Sequence, residues 1–163
     1  TAVESAAELG SALQLAQPGS DVLVMAAAVA DLRRDAAPTS KLAKQDLQQA
    51  LVSGWAEVPD LLLNLTRQRR PGQLVLGFSA LTGSDAHLLE RAESKRLAKG
   101  CDLMMVNPVD RVGQGFGDQP NGGWLLGDGW RRELPVTAKL SLAHQLLDAL
   151  IEARYQAAVS MES

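Results

Sequence analysis

The chain of 163 residues carries a single cysteine, Cys101, and only two histidines, His87 and His144. An intrachain disulfide is therefore excluded, and a zinc site would have to be assembled from one thiolate and two imidazoles far apart in sequence. Such cysteine usage points to a reducing, cytoplasmic setting. No apolar run approaches the roughly 20 residues that cross a bilayer, and the opening Thr1-Ala2-Val3-Glu4 lacks the basic segment of a signal peptide. Positive charge is not in excess either. With a formal net charge of -3 and an isoelectric point near 5.4, the chain has no overall attraction for nucleic acid. Any anionic ligand has to be held by a few local groups.

What is present is an ordinary globular composition, 46% hydrophobic and 21% charged, in a chain long enough to bury a core without covalent or metal staples. One α/β domain over residues 1–156 is expected, with a fraying tail over residues 157–163. The chain begins without methionine and runs almost directly into a helical pattern, as a fragment, a processed product or a trimmed chain does.

Over residues 3–16, Ala6, Leu9, Leu13 and Ala16 share one helical face before Pro18-Gly19 stops the helix. The continuous apolar run over 21–25 then reads as a strand buried on both faces of a parallel sheet. Two further units repeat the rhythm: a helix opened by Pro59-Asp60 leads to a strand over 74–78, and a helix over 85–99, stopped by Gly100, leads to a strand over 102–106. Residues 31–44 read as an exposed polar loop or flap and 47–57 as an edge strand. Segments 124–126 and 131–134 flank Gly127-Asp128-Gly129 as a β-hairpin does, and 139–155 closes the chain as an amphipathic helix. The alternation predicts a Rossmann-like, largely parallel sheet flanked by helices, with a C-terminal β-hairpin.

Ligands of open α/β sheets sit beyond the carboxyl ends of the strands. The exits here read Met25-Ala26-Ala27-Ala28-Val29-Ala30-Asp31, Gly77-Phe78-Ser79-Ala80-Leu81-Thr82 and Val106-Asn107-Pro108-Val109-Asp110. Small alanines let a flat ring approach the backbone, Asp31 offers an acceptor and Phe78 a stacking face, although aromatics at strand ends commonly pack into the core. Lys95 and Lys99, one turn apart, ordinarily complement the negative end of a helix dipole. Gly113-Gln114-Gly115-Phe116-Gly117 precedes no helix and reads as a flexible connection. Gly77-Phe78-Ser79-Ala80-Leu81 lacks the closing glycine of a hydrolase nucleophile elbow. Cys101 reads as a small buried residue, and His144 has no ligand-spaced partner.

These stretches resemble the phosphopantothenate-cysteine ligase family, whose members have an Ala-Ala-Val-Ala-Asp stretch followed by a lysine-bearing loop. Here it is Ala27-Ala28-Val29-Ala30-Asp31, with Lys41 at the lysine. The order continues with Pro59-Asp60-Leu61-Leu62 for Asn-Pro-Asp-Ile-Leu, Gly77-Phe78-Ser79-Ala80 for Gly-Phe-Ala-Ala, and residues 95–102 for a lysine-rich helix end. Asn107, Phe116, Asn121, Leu134-Pro135 and Lys139 complete a series that runs through nearly the whole chain. The family's glutamate after Gly-Phe-Ala-Ala is Leu81 here, its asparagine before Pro-Asp is Val58, and the second lysine of its flap is Ala43. Its first β-α segment, with a Gly-Gly turn and an Asn-Ser-Ser-Gly loop, does not occur in this sequence.

The resemblance implies CTP contacts at Met25, Ala26, Ala27, Asp31, Lys41, Pro59, Asp60, Leu61, Leu62, Phe78, Lys95 and Lys99, with Asp31 and Lys41 nearest the chemistry. It implies ligation of 4'-phosphopantothenate with cysteine through an acyl-cytidylate, Mg2+ accompanying the triphosphate, and a homodimer for which Trp124 and Trp130 would be anchors. A flavin-dependent decarboxylase fused or associated upstream is also implied. Two other readings stand beside it: a catalytically incomplete fragment that keeps nucleotide binding or dimerisation, and a generic Rossmann dehydrogenase, for which the dinucleotide fingerprint is missing.

Overall fold

The computed structural model describes residues 1–35, 43, 44 and 46–161, with side chains through 156. Helix α1 (Ala6–Ala16) starts at Ser5, whose hydroxyl accepts the Glu8 N–H at 3.2 Å, while the Glu8 carboxylate accepts the Glu4 N–H at 2.8 Å. One of the helix's first free donors is thereby satisfied, and the residue before the cap is tied to the first turn. A 3-10 turn at Gln17–Gly19 delivers the chain into β1 (Val22–Met25). Next come β2 (Leu32–Arg34), α2 (Leu47–Val52), β3 (Trp55–Glu57), α3 (Leu61–Arg67) and β4 (Leu74–Leu81). The remainder is α4 (Asp85–Lys99), β5 (Leu103–Pro108), β6 (Asn121–Gly127), β7 (Trp130–Thr137) and α5 (Lys139–Met161). Among the described residues no helix is long and apolar enough to cross a membrane.

Five strands form one sheet in the order β1-β4-β5-β6-β7, with β1, β4 and β5 parallel and β6 and β7 antiparallel. Alternate side chains of β4 go to opposite layers, as a pleated strand requires. Val75 and Leu81 meet α3 and α4 through Leu65, Leu88 and Ala92. Leu74 and Leu76 meet α5 through Leu142, Leu146 and Leu150. The central strand β5 is covered on both faces, so Leu103, Met104, Met105 and Val106 are all buried and the run is continuously apolar. Gly100 ends α4 in the left-handed region, φ 67°, as the sequence signals. The hairpin turns at Asp128 and Gly129, pairing Gly127 with Trp130.

Five expectations need correction. Segment 47–57 is not one edge strand: α2 occupies its first half, closed by the Arg34 guanidinium on the Ala50 and Ser53 carbonyls, and only Trp55–Glu57 is extended. Within the polar stretch 31–44, Leu32–Arg34 is a strand pairing antiparallel with β3 in a second, two-stranded sheet. β1 is not buried on both faces. It lies at the edge of the sheet, and α5 packs on β4, β6 and β7 instead, leaving Val24 43% exposed. Trp124 is no interface anchor: it is 8% exposed inside the α3–α4 core, with the Arg111 guanidinium 5.3 Å from its ring centre. Of the pair, Trp130 is the exposed one, under the Arg132 guanidinium. The closing helix also runs beyond Tyr155 to Met161, since 156–161 contains no proline or glycine to stop it.

Candidate functional site

Helices that precede parallel strands run back along the sheet, so their first turns lie beside the strand exits. Here that geometry brings the starts of α1 and α3 to the chain leaving β1. The Val58 N–H donates to the Asp31 carbonyl at 2.9 Å, which fixes the segment after β1 next to the segment before α3. Between them lies a cavity of about 960 Å³, walled by Ala27, Ala28, Val29 and Ala30, by Leu32 and Arg33 of β2, by Val58, Pro59, Leu61 and Asn64, and by the first two turns of α1. Three smaller clefts, of about 310, 320 and 570 Å³, surround Trp130. The one of about 570 Å³ includes Leu74 and Leu103, the first residues of β4 and β5, at the opposite ends of these strands from their exits.

The lining explains the wall's shape. Alanines after β1 leave backbone groups accessible to a flat ring, and Gly10 on α1 lets the two helices approach, since a Cβ there would stand 3.0 Å from Leu61 Cδ2. Among the described residues the charged side chains on the wall are Glu4 and Arg33. Among the described residues no group of three or more His, Cys, Asp or Glu is placed to hold a metal ion. Cys101 lies at the other end of the sheet, and burial pushes its thiol up to about 11, far from a ready nucleophile.

Of the twelve residues singled out in the sequence, Ala27, Pro59 and Leu61 line the cavity. Asp60 sits between two of them as the N-cap of α3: one carboxylate oxygen accepts the Leu63 N–H at 3.0 Å and the other is ion-paired with Lys99. The far end of α4 reaches this point because α3 has only 7 residues. The Lys99 carbonyl accepts the Thr66 hydroxyl at 2.6 Å at the tail of α3, and the lysine side chain extends back along it to the cap. Leu62 packs into the α3–α4 core and Met25 is buried at the end of β1. Ala26 and Asp31 are exposed beside the cavity, outside its wall, and Lys95 is exposed on α4. Phe78 is partly buried against the α5 layer, on the opposite face of the sheet from the α1–α3 wall. Lys41 lies outside the described residues.

Ser5, Gly10, Gln14, Arg33 and Asn64 also line the cavity and were not singled out in the sequence. Strand exits are loops, whereas these residues belong mainly to the helices leading into the strands. Their signal is the α/β alternation itself, which fixes where those helices begin.

Residues 1–153 match the family described as the DNA/pantothenate metabolism flavoprotein C-terminal domain. Over 156 residues the chain is 37% identical to the coenzyme A biosynthesis bifunctional protein CoaBC of Mycobacterium tuberculosis (strain ATCC 25618 / H37Rv), covering 91% of this chain and 37% of the relative. The CoaBC protein of Bacillus subtilis (strain 168) is 32% identical over 149 residues, with 91% and 35% covered. The chain thus spans a little over a third of the length of these relatives. Among solved structures, the C-terminal domain of CoaBC superposes with a TM-score of 0.70 at 26% identity, covering 94% of this chain and 67% of that one. The DNA/pantothenate metabolism flavoprotein from Streptococcus pneumoniae also gives 0.70, at 14% identity over 93% of this chain and 71% of that one, a likeness of fold.

Proposed function

Because the chain belongs to the family of the DNA/pantothenate metabolism flavoprotein C-terminal domain, we propose that it is the ligase part of a coenzyme A biosynthesis protein and uses CTP to join 4'-phosphopantothenate to cysteine. One observation carries the reading: the cavity of about 960 Å³ is walled by the alanine stretch and by Pro59 and Leu61, which belong to the two motifs that resemble the ligase family's nucleotide contacts. In the first step the phosphopantothenate carboxylate attacks the α-phosphorus of CTP and pyrophosphate leaves. In the second, the cysteine amine attacks the acyl carbon, an amide bond forms and CMP leaves.

Neither step needs a covalent enzyme intermediate, so positioning and charge neutralisation supply the rate. The base is proposed to lie against Ala27 to Ala30, where accessible N–H and carbonyl groups answer the paired donors and acceptors of a cytosine edge, with Asp31 at the rim. Lys41 is proposed to close over the acyl-cytidylate. Mg2+ is proposed to enter on the triphosphate, which needs few protein ligands of its own. The ion pair of Asp60 and Lys99 anchors the turn that carries Pro59 and Leu61. Met25 and Leu62 stand behind the wall as framework, whereas Phe78, on the α5 face of the sheet, and Lys95, exposed on α4, lie away from it.

A homodimer and a flavin-dependent decarboxylase fused or associated with it, in the cytoplasm, complete the proposal. The bifunctional names of the relatives and the flavoprotein description of the family support the second activity.

Calorimetric titration should show CTP binding at least about tenfold tighter than ATP, a difference of roughly 1.4 kcal/mol that edge recognition readily supplies. Equal affinities, or none, would remove the proposal. Pyrophosphate release in the presence of cysteine and phosphopantothenate separates ligation from binding alone. Leu81, 5% exposed where the ligase family carries a glutamate, favours the second reading, a domain that binds nucleotide without turnover.

A further inference from the structure

Arg33 and Arg34 are neighbours on β2, and a strand sends neighbouring side chains to opposite faces. Arg34 is committed to the fold: its guanidinium holds the Ala50 and Ser53 carbonyls at the end of α2 and lies 5.3 Å from the Trp55 ring centre. Arg33 goes the other way and lines the 960 Å³ cavity. Among the described residues, one of its N–H groups is engaged, with the Arg34 carbonyl at 3.2 Å. A guanidinium has five such donors in a fixed fork that matches phosphate oxygens.

The rest of the wall gives this side chain its role. Among the described residues Glu4 is the other charged one on it, at the entrance of α1, and the carboxylate of Glu8 folds back on the same turn. These two carboxylates offset the attraction of the α1 amino end for anions. Lys99 is paired with Asp60 and is not a wall residue. Ala27 to Ala30 offer a neutral surface between the two charged ends.

Resting on the CTP reading above, we infer that Arg33 binds the phosphate groups of the nucleotide and so sets its direction in the cavity, phosphates toward β2 and base along the alanine segment. Arg33 is thus a specificity-determining residue for the charged tail, independent of base choice.

The test compares the whole chain with Arg33→Gln and Arg33→Lys, after thermal melts have shown all three equally folded. CTP is titrated by calorimetry and cytidine by NMR at millimolar concentration. Removing a charge-assisted contact should weaken CTP by about tenfold or more and leave cytidine unchanged, with Arg33→Lys in between because an ammonium keeps the charge without the fork. If the unmodified chain binds CTP and Arg33→Gln binds it equally well, the inference falls and the CTP reading survives. An equal loss for cytidine also overturns it, since Arg33 would then act on the base or the cavity's shape. If the unmodified chain binds no CTP, the reading itself fails and the inference goes with it.

Discussion

Replacing Gly123 by alanine should cost about 4 kcal/mol or more, an exceptional loss for one methyl group and a large part of the roughly 5–15 kcal/mol that holds a domain together. Gly123 sits in β6 at φ 144°, where the ladder to β7 is irregular. A Cβ there would overlap the Val106 carbonyl oxygen and stand 3.0 Å from Pro108 Cδ. Val106 is in the central strand, fully buried between both helical layers, so its backbone cannot retreat without moving the sheet. Gly129 is the matched control. It has φ 70° at the hairpin turn with nothing within 4 Å of an added Cβ, so Gly129→Ala should cost only about 1–2 kcal/mol of left-handed strain. Urea unfolding of both variants reads the difference. Equal midpoints would mean that the β5–β6 contact is looser than described.

Ala28→Trp should weaken nucleotide binding about a hundredfold and spare the fold. Ala28 is exposed in the segment after β1, outside any helix or strand, and lines the cavity. An indole there occupies the surface on which the base is proposed to lie. Displacing or straining it should cost about 2–3 kcal/mol of binding, roughly a hundredfold in affinity for CTP. Calorimetry beside a thermal melt checks both halves. Undiminished CTP affinity in a folded variant would mean that the nucleotide does not use this wall.

The sequence made the α/β architecture legible where one local signal fixed one element. The helix over 85–99 with Gly100 behind it and the hairpin around Asp128-Gly129 lie where their spacing put them. It misled where the outcome depended on what covers a surface. The apolar run of β1 and the run of β5 look alike, but β1 is at the sheet's edge and β5 at its centre, which only strand order decides. Trp124 looked like an anchor because aromatics serve cores and interfaces equally, and the layer of α3 and α4 settled the matter. Segment 47–57 mixed a one-and-a-half-turn helix with a three-residue strand, both too short to show a period.

The candidate site was half legible for the same reason. Motif order led to Ala27, Pro59 and Leu61, which meet at one cavity. Phe78, assigned by the same resemblance, has its side chain on the α5 face, because alternation along β4 puts residue 78 with Leu74 and Leu76. Lys99 ends α4 and reads by spacing alone as a complement of the helix dipole. The shortness of α3 brings its ammonium to Asp60, a tertiary fact that no spacing in the chain expresses. Arg33 was hidden in a polar stretch until β2 gave it a face.

The most direct measurement is an amide chemical-shift titration of the isotopically labelled chain with CTP. Shifts should concentrate in residues 27–33 and 58–64 and in the first turns of α1, the walls of the large cavity. Shifts confined to the clefts around Trp130, with those walls silent, would contradict the site and the function built on it.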